Sequence, residues 1–177
     1  MTRALGALAL FALLAILPAA QASQIQSSCS GCASHEEWPA VRGVVKKADG
    51  AAHFTGTKRS DELLGRHGSD VLSGRGGSDI LWGDHDPVGQ PPGQHDLIYG
   101  GAGDDFIYGS HGRNTIYAGA GNDAISVHYG RGRVDCGPGR DIYHVAKSIR
   151  KGYRFVNCEK VDYRSERQRG GGLKPLP

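Results

Sequence analysis

Between residues 56 and 144 one aliphatic or aromatic position returns every nine residues, with a single longer interval between Leu81 and Ile98. Leu63, Leu72, Leu81, Ile98, Ile107, Ile116, Ile125, Val134 and Tyr143 each stand eighth in a unit whose first half is rich in glycine. The cleanest unit is 100–108, GGAGDDFIY. Units 65–73 (GRHGSDVLS) and 74–82 (GRGGSDILW) precede it; 109–117 (GSHGRNTIY), 118–126 (AGAGNDAIS), 127–135 (VHYGRGRVD) and 136–144 (CGPGRDIYH) follow. One inward position between two outward ones is the alternation of a short strand. The early glycines supply turns that need positive φ. A fixed short period predicts a solenoid whose units stack to bury a continuous core. The fold class expected is all-β: a right-handed parallel β-roll, a β-helix solenoid with two units per full turn and short irregular flanks.

The pattern also marks where the roll begins, breaks and ends. Unit 56–64 (GTKRSDELL) keeps Asp61 and Leu63 but has Arg59 where the fourth-position glycine belongs. Residues 51–55 (AAHFT) read as a degenerate first rung with Phe54 in the inward place, and 41–45 as a short strand. After Gly83 the sequence GDHDPVGQPPGQH adds about eight residues before Asp96 and Ile98 resume the period. Insertions in repeat arrays map to loops on one face. The domain plan is therefore an N-terminal flank or cap at 23–50, the roll at 51–144 with an insertion at 84–95, and a C-terminal cap at 145–163. Residues 145–156 supply an irregular rung, and the charged, Gly-rich tail at 164–177 is expected to be disordered.

The first residues bear on compartment. Met1-Thr2-Arg3, an apolar run at 5–17 and Ala20-Gln21-Ala22 read as a secretory signal peptide over 1–22. The apolar run is too short to span a bilayer. The expected localisation is secreted, extracellular. Four cysteines, Cys29, Cys32, Cys136 and Cys158, allow three pairings in an exported chain. The favoured pairs are Cys136–Cys158, closing the last repeat onto the C-terminal flank, and Cys29–Cys32. A redox pair or half of a zinc site is the other reading of the CSGC stretch.

Length and charge narrow the choice further. The 177 residues suffice for one domain. A formal charge of +3 argues against a dedicated nucleic-acid binder.

Sorting the sixth-position residues by alternate units separates two faces. One face stacks Asp61, Asp79, Asp105, Asp123 and Asp141; the other stacks Asp70, Asp96, Asn114 and Gly132. Strands stack ~4.8 Å apart. Carboxylates at that spacing repel by roughly 1 kcal/mol per pair in water and several-fold more in a less polar setting. A hard cation reverses the sign, because Ca²⁺ takes six to eight oxygens from carboxylates and carbonyls. Folding and Ca²⁺ binding are therefore expected to be coupled.

GGAGDDFIY, AGAGNDAIS and GRGGSDILW resemble the hemolysin-type (RTX-like) calcium-binding repeat, here as a small stand-alone repeat protein. The resemblance implies that Ca²⁺ sits between stacked turns, held by sixth-position carboxylates and Gly-turn carbonyls. Carried over residue by residue, it implicates Asp61, Asp70, Asp79, Asp96, Asp105, Asp123 and Asp141. Asn114 and Gly132 depart from the motif, and Arg59 weakens the Asp61 unit. Larger members carry catalytic or pore-forming domains ahead of the repeats, for which this chain has no room.

Other groups stand beside the carboxylates in the repeat and its flanks. His67, His85 and His111 fall in one third-position column, offering either a transition-metal site or solvated turn histidines. Outward Ile80, Trp82, Phe106 and Tyr108 on one face, and Leu97, Tyr99 and Tyr117 on the other, are either covered by a flank or free to bind a glycan or protein. Asp84, His85, Asp86 and His95 have no recognised catalytic spacing. The basic residues Lys147, Arg150, Lys151, Arg154, Lys160, Arg164, Arg167 and Arg169 are solvated or contact anionic polymers. The reading is a secreted Ca²⁺-binding structural or interaction module, not an enzyme. The alternative is an extracellular β-helix hydrolase or lyase acting on polysaccharide.

Overall fold

Glycine-rich turns feeding three-residue strands leave each unit too short to bury its own apolar side chain, so the units must stack. In the structure, a computed structural model, residues 38–86, 88–91, 93–109 and 111–164 are described. The leader, Cys29, Cys32 and the tail beyond 164 lie outside the described residues.

Odd-numbered strands form one parallel sheet: β1 (Val45–Lys47), β3 (Glu62–Leu64), β5 (Ile80–Trp82), β7 (Phe106–Tyr108), β9 (Ala124–Val127), β11 (Ile142–Val145) and β13 (Lys160–Asp162). Even-numbered strands form the other: β2 (His53–Thr55), β4 (Val71–Gly76), β6 (His95–Ala102), β8 (Arg113–Ala120), β10 (Arg131–Asp135) and β12 (Tyr153–Val156). One 3₁₀ turn, Arg150–Gly152, precedes β12. Two units make each turn of an all-β solenoid, and no helix among the described residues is long and apolar enough to cross a membrane.

All nine eighth-position side chains meet between the sheets. Leu63 through Val134 are fully buried and Tyr143 is 7% exposed. Register aligns them rung by rung: Leu63, Leu81, Ile107, Ile125 and Tyr143 in one file, and Phe54, Leu72, Ile98, Ile116 and Val134 in the other. The insertion leaves this order intact. Sixth-position partners are 26 residues apart across it and 18 elsewhere, yet bonded alike.

The ends differ from the middle. The first strand begins at Val45 rather than 41, because Arg42 and Gly43 donate N–H groups to Ser60 and Val44 donates to Asp61. Val44 thus takes the sixth place of the first rung and Lys46 the eighth, in register with Leu63. Lys46 Nζ donates to Thr55 O at 2.7 Å. An end rung that carries a charge in its inward register does not invite another strand. At the far end Phe155 stacks on Tyr143 at 4.0 Å, and the Arg150 guanidinium lies 4.5 Å over Phe155. Cys136 and Cys158 are joined in a disulfide that ties the cap to the roll.

The outer face of the odd-numbered sheet is covered. Trp38 lies edge-on to Trp82 and Tyr108, which stack at 4.5 Å, and Trp38 with Val41 packs on Ile80, Phe106, Ala124 and Ile142. The even-numbered sheet keeps Tyr99 and Tyr117 exposed, stacked on each other at 5.3 Å.

Candidate metal centres

Each sixth-position carboxylate sits where a glycine turn enters a strand, and its two oxygens have different surroundings. Oδ1 accepts the backbone N–H of the sixth residue one rung earlier. Asp61 N–H donates to Asp79 at 2.7 Å, Asp79 to Asp105 at 2.8 Å, Asp105 to Asp123 at 2.9 Å and Asp123 to Asp141 at 2.8 Å. In the other column Ala52 donates to Asp70 at 2.7 Å and Asp70 to Asp96 at 2.9 Å. Oδ2 of Asp70, Asp79, Asp105, Asp123 and Asp141 is buried and meets no hydrogen-bond donor. A buried acceptor left without a donor costs about 1–3 kcal/mol, and more when charged.

The electrostatics follow from that placement. Burial pushes the Asp105 carboxyl up to about 8, against the lowering effect of the Asp79 N–H, and the charges of Asp123, Asp79 and Asp104 push it further. Burial raises Asp123 to about 7, with Asp141 and Asp104 adding to it. Asp70, Asp79 and Asp141 rise to about 6, again chiefly through burial.

The space beside Oδ2 is shaped by the first-position glycine. A Cβ built on Gly74 falls 2.1 Å from Asp79 Oδ2 and 2.6 Å from Gly100 O. On Gly65 it falls 2.2 Å from Asp70 Oδ2 and 2.3 Å from Gly83 O. On Gly100 it falls 2.4 Å from Asp105 Oδ2 and 2.1 Å from Ala118 O. A carboxylate oxygen and a carbonyl oxygen of the next turn thus crowd the same side of each of these three glycines, and oxygens of both kinds are the ligands Ca²⁺ takes. The donors present fit a hard, oxygen-seeking cation. Ala118 and Cys136 hold the first position ahead of Asp123 and Asp141, so a side chain stands where glycine leaves room.

Asp61 differs. Its Oδ2 accepts the Thr57 N–H at 2.5 Å and lies 3.1 Å from the Thr57 hydroxyl, so both oxygens of this carboxylate have protein hydrogen-bond donors. The second column changes chemistry after Asp96. Asn114 Nδ2 donates to the Tyr153 hydroxyl at 2.8 Å, which donates to Tyr129 O at 2.8 Å. Gly132, between Asn114 and Tyr153 in register, has no side chain in the way. Neutral hydrogen bonds replace carboxylates there, and burial holds the Tyr153 phenol above its usual range.

Sequence reasoning missed two of these residues. Glu159 Oε2 accepts the Asp141 N–H at 2.9 Å and so extends the first column by one rung. Val161, two residues on, stands in register with Tyr143 and was the available signal. Tyr153 had none, because its role depends on a strand outside the nine-residue period.

The histidine column does not assemble. His67 contacts Asp49 Oδ1 at 2.6 Å and Val88 O at 2.8 Å, His85 contacts Gly65 O at 2.6 Å, and His111 stacks on Tyr129. No group of three or more His, Cys, Asp or Glu side chains able to hold a metal is found among the described residues. Any cation here must draw on carbonyls, as the stacked turns permit.

The insertion's ionisable groups also face separate partners. Asp84 accepts from Gln94 and from the His111 N–H, while Asp86 pairs with Arg66 at 2.9 Å. The ninth positions do place Ser126, His144 and Asp162 in one file. His144 Nδ1 lies 3.4 Å from Asp162, but Ser126 Oγ faces His128 Nδ1 at 2.8 Å. The three side chains are 2%, 1% and 8% exposed, which leaves a substrate no approach.

Comparison with known families agrees with this geometry. The family model of the RTX calcium-binding nonapeptide repeat (4 copies) matches residues 53–84 and 93–125. No curated protein and no solved structure matches the chain.

Proposed function

With residues 53–84 and 93–125 belonging to the RTX calcium-binding nonapeptide repeat family, we propose that this chain is an exported structural module whose roll is completed by Ca²⁺. The ion supplies positive charge and open coordination to the stacked turns. Asp79 and Asp105 in the first column and Asp70 in the second would hold it, with the carbonyls of Gly100, Ala118 and Gly83. Asp96, Asp123 and Asp141 continue the two columns. Asp61 serves as an end rung satisfied by Thr57.

The observation that carries this reading is the set of buried Oδ2 atoms without donors, of which those of Asp70, Asp79 and Asp105 lie beside a carbonyl of the next turn. Oδ1 fixes the carboxylate through the backbone ladder, and Oδ2 stays available. Burying charge without a partner is unfavourable, so the carboxylates favour either protonation or a cation. The signal peptide read at 1–22 supports export to a medium where Ca²⁺ is abundant, and extracellular modules bind it at roughly 10⁻⁴–10⁻³ M.

Calorimetric Ca²⁺ titration of the chain lacking residues 1–22, paired with circular dichroism, tests the proposal. Saturable binding of more than one Ca²⁺ with a gain of β signal is expected, and Mg²⁺ should not substitute at equal concentration. A fold unchanged by chelator, with no heat of Ca²⁺ binding, would overturn it.

A further inference from the structure

The outer face of the even-numbered sheet carries a feature that neither the core nor the carboxylate columns use. Register sets His95, Arg113 and Arg131 side by side on β6, β8 and β10, and Thr115, Arg133 and Arg154 side by side on β8, β10 and β12. These side chains line one open groove of about 390 Å³, whose remaining walls are Gly132 and Gly152. His95, Arg113, Arg131 and Arg154 are exposed.

Charge on this face is unbalanced. Asp135 pairs with Arg133 at 2.8 Å, but Arg113, Arg131 and Arg154 make no ion pair among the described residues. Like charges on adjacent strands, ~4.8 Å apart, destabilise a sheet. The fold gains nothing from this arrangement, whereas a ligand with regularly spaced anions would. Guanidinium groups bind carboxylates and sulfates through paired N–H donors.

We infer that this arginine groove binds a linear acidic polysaccharide, lying across the strands with one anionic sugar to about one rung. The strand spacing is close to the rise of one sugar in an extended pyranose chain, so successive anions meet successive arginines. Tyr99 and Tyr117 continue the same face at the ninth positions. They stack on each other within 8° of parallel, so one face of each ring is already taken. Single-stranded nucleic acid binding relies on free aromatic faces for the bases.

The test uses Ca²⁺-loaded protein at low salt, with oligogalacturonate and a sulfated oligosaccharide as separate probes. A single-stranded oligonucleotide of equal charge and phosphatidylglycerol-containing vesicles are the competitors. Arg113→Ser, Arg131→Ser and Arg154→Ser are combined in one variant. A charge-matched control combines Lys58→Ser, Arg140→Ser and Lys160→Ser. Both variants should retain wild-type circular dichroism and Ca²⁺ titration, which separates loss of the groove from loss of the calcium-bound fold. The groove variant is expected to bind at least one saccharide tenfold or more weakly than wild type, with the control within twofold. The two saccharides distinguish carboxylate from sulfate preference. Equal losses in both variants, no saccharide binding by wild type, or tighter binding to the oligonucleotide or vesicles would each overturn the inference. If the triple variant misfolds, Arg113→Ser alone, expected to weaken binding several-fold, decides by the same comparison.

Discussion

Asp123 accepts the backbone N–H of Asp105 at 2.9 Å through Oδ1, while its Oδ2 is buried without a donor. One oxygen is spent on the ladder that stacks the rungs, and the other makes that ladder costly unless a proton or cation arrives. Removing the charge should therefore separate the two roles. Asp105→Asn can retain an acceptor for the Asp79 N–H. Without Ca²⁺ and above about pH 8, where burial no longer keeps Asp105 protonated, it should raise the melting temperature, because it removes a buried charge beside Asp79 and Asp123. Its Ca²⁺ affinity should fall tenfold or more, about 1.4 kcal/mol or above. Melts with and without chelator, alongside calorimetry, check both signs; a variant less stable without Ca²⁺ would contradict the account.

The metal-free protein should lose stability as pH rises through neutrality. Asp70, Asp79 and Asp141 are raised to about 6, Asp123 to about 7 and Asp105 to about 8, so the folded state holds more protons than the unfolded chain above the ordinary carboxylate range near 4. Their contribution is fully present below about pH 4 and is lost progressively up to about pH 8. Asp162 acts oppositely: Arg164 holds it down to about 2, and its contribution is lost as pH falls through that value. Denaturant melts in chelator should show greater stability at pH 4–5 than at pH 8, and saturating Ca²⁺ should reverse the order.

Calcium binding near pH 6.5 should release protons from these same carboxylates. Titrations in buffers of different ionisation enthalpy measure the number. Release close to zero would mean that the groups are already ionised in the metal-free fold.

Gly74→Ala places a methyl 2.1 Å from Asp79 Oδ2 and 2.6 Å from Gly100 O, without requiring positive φ. It should reduce the calcium stoichiometry by about one and also lower stability somewhat, because the Gly100 carbonyl has to shift. Gly119→Ala, at φ 116° and 2.0 Å from Gly101 O, should instead destabilise the roll by about 2 kcal/mol or more at any calcium concentration. Comparing stoichiometry with melting temperature tells a blocked site from a strained backbone.

Tyr153→Phe should destabilise by about 1 kcal/mol, by removing the hydroxyl that joins Asn114 to Tyr129 O. The shift should be the same with and without Ca²⁺, since that end of the second column is held by neutral hydrogen bonds. A calcium-dependent shift would place an ion there.

The nine-residue period made the middle of the fold legible. Leu63 to Tyr143 were identifiable because an inward side chain is dictated locally, by its place after a turn, and all nine meet in the core. The aspartate columns were legible for the same reason, since two units per turn places every second sixth position in one file. Lys46, Tyr153 and Glu159 were not, because the end rungs drop the nine-residue spacing. Glu159 still stands 18 residues from Asp141, so the full turn persists where its halves do not.

By itself the sequence determined the parallel roll, its inward file and the two unequal acidic columns, because each depends on spacing along the chain. The tertiary structure decided which carboxylate oxygens lack donors, that Thr57 satisfies Asp61, and that Trp38 covers one outer sheet while the arginines of the other stay open. Those outcomes depend on which residues from distant rungs meet, and spacing within a unit carries no information about that.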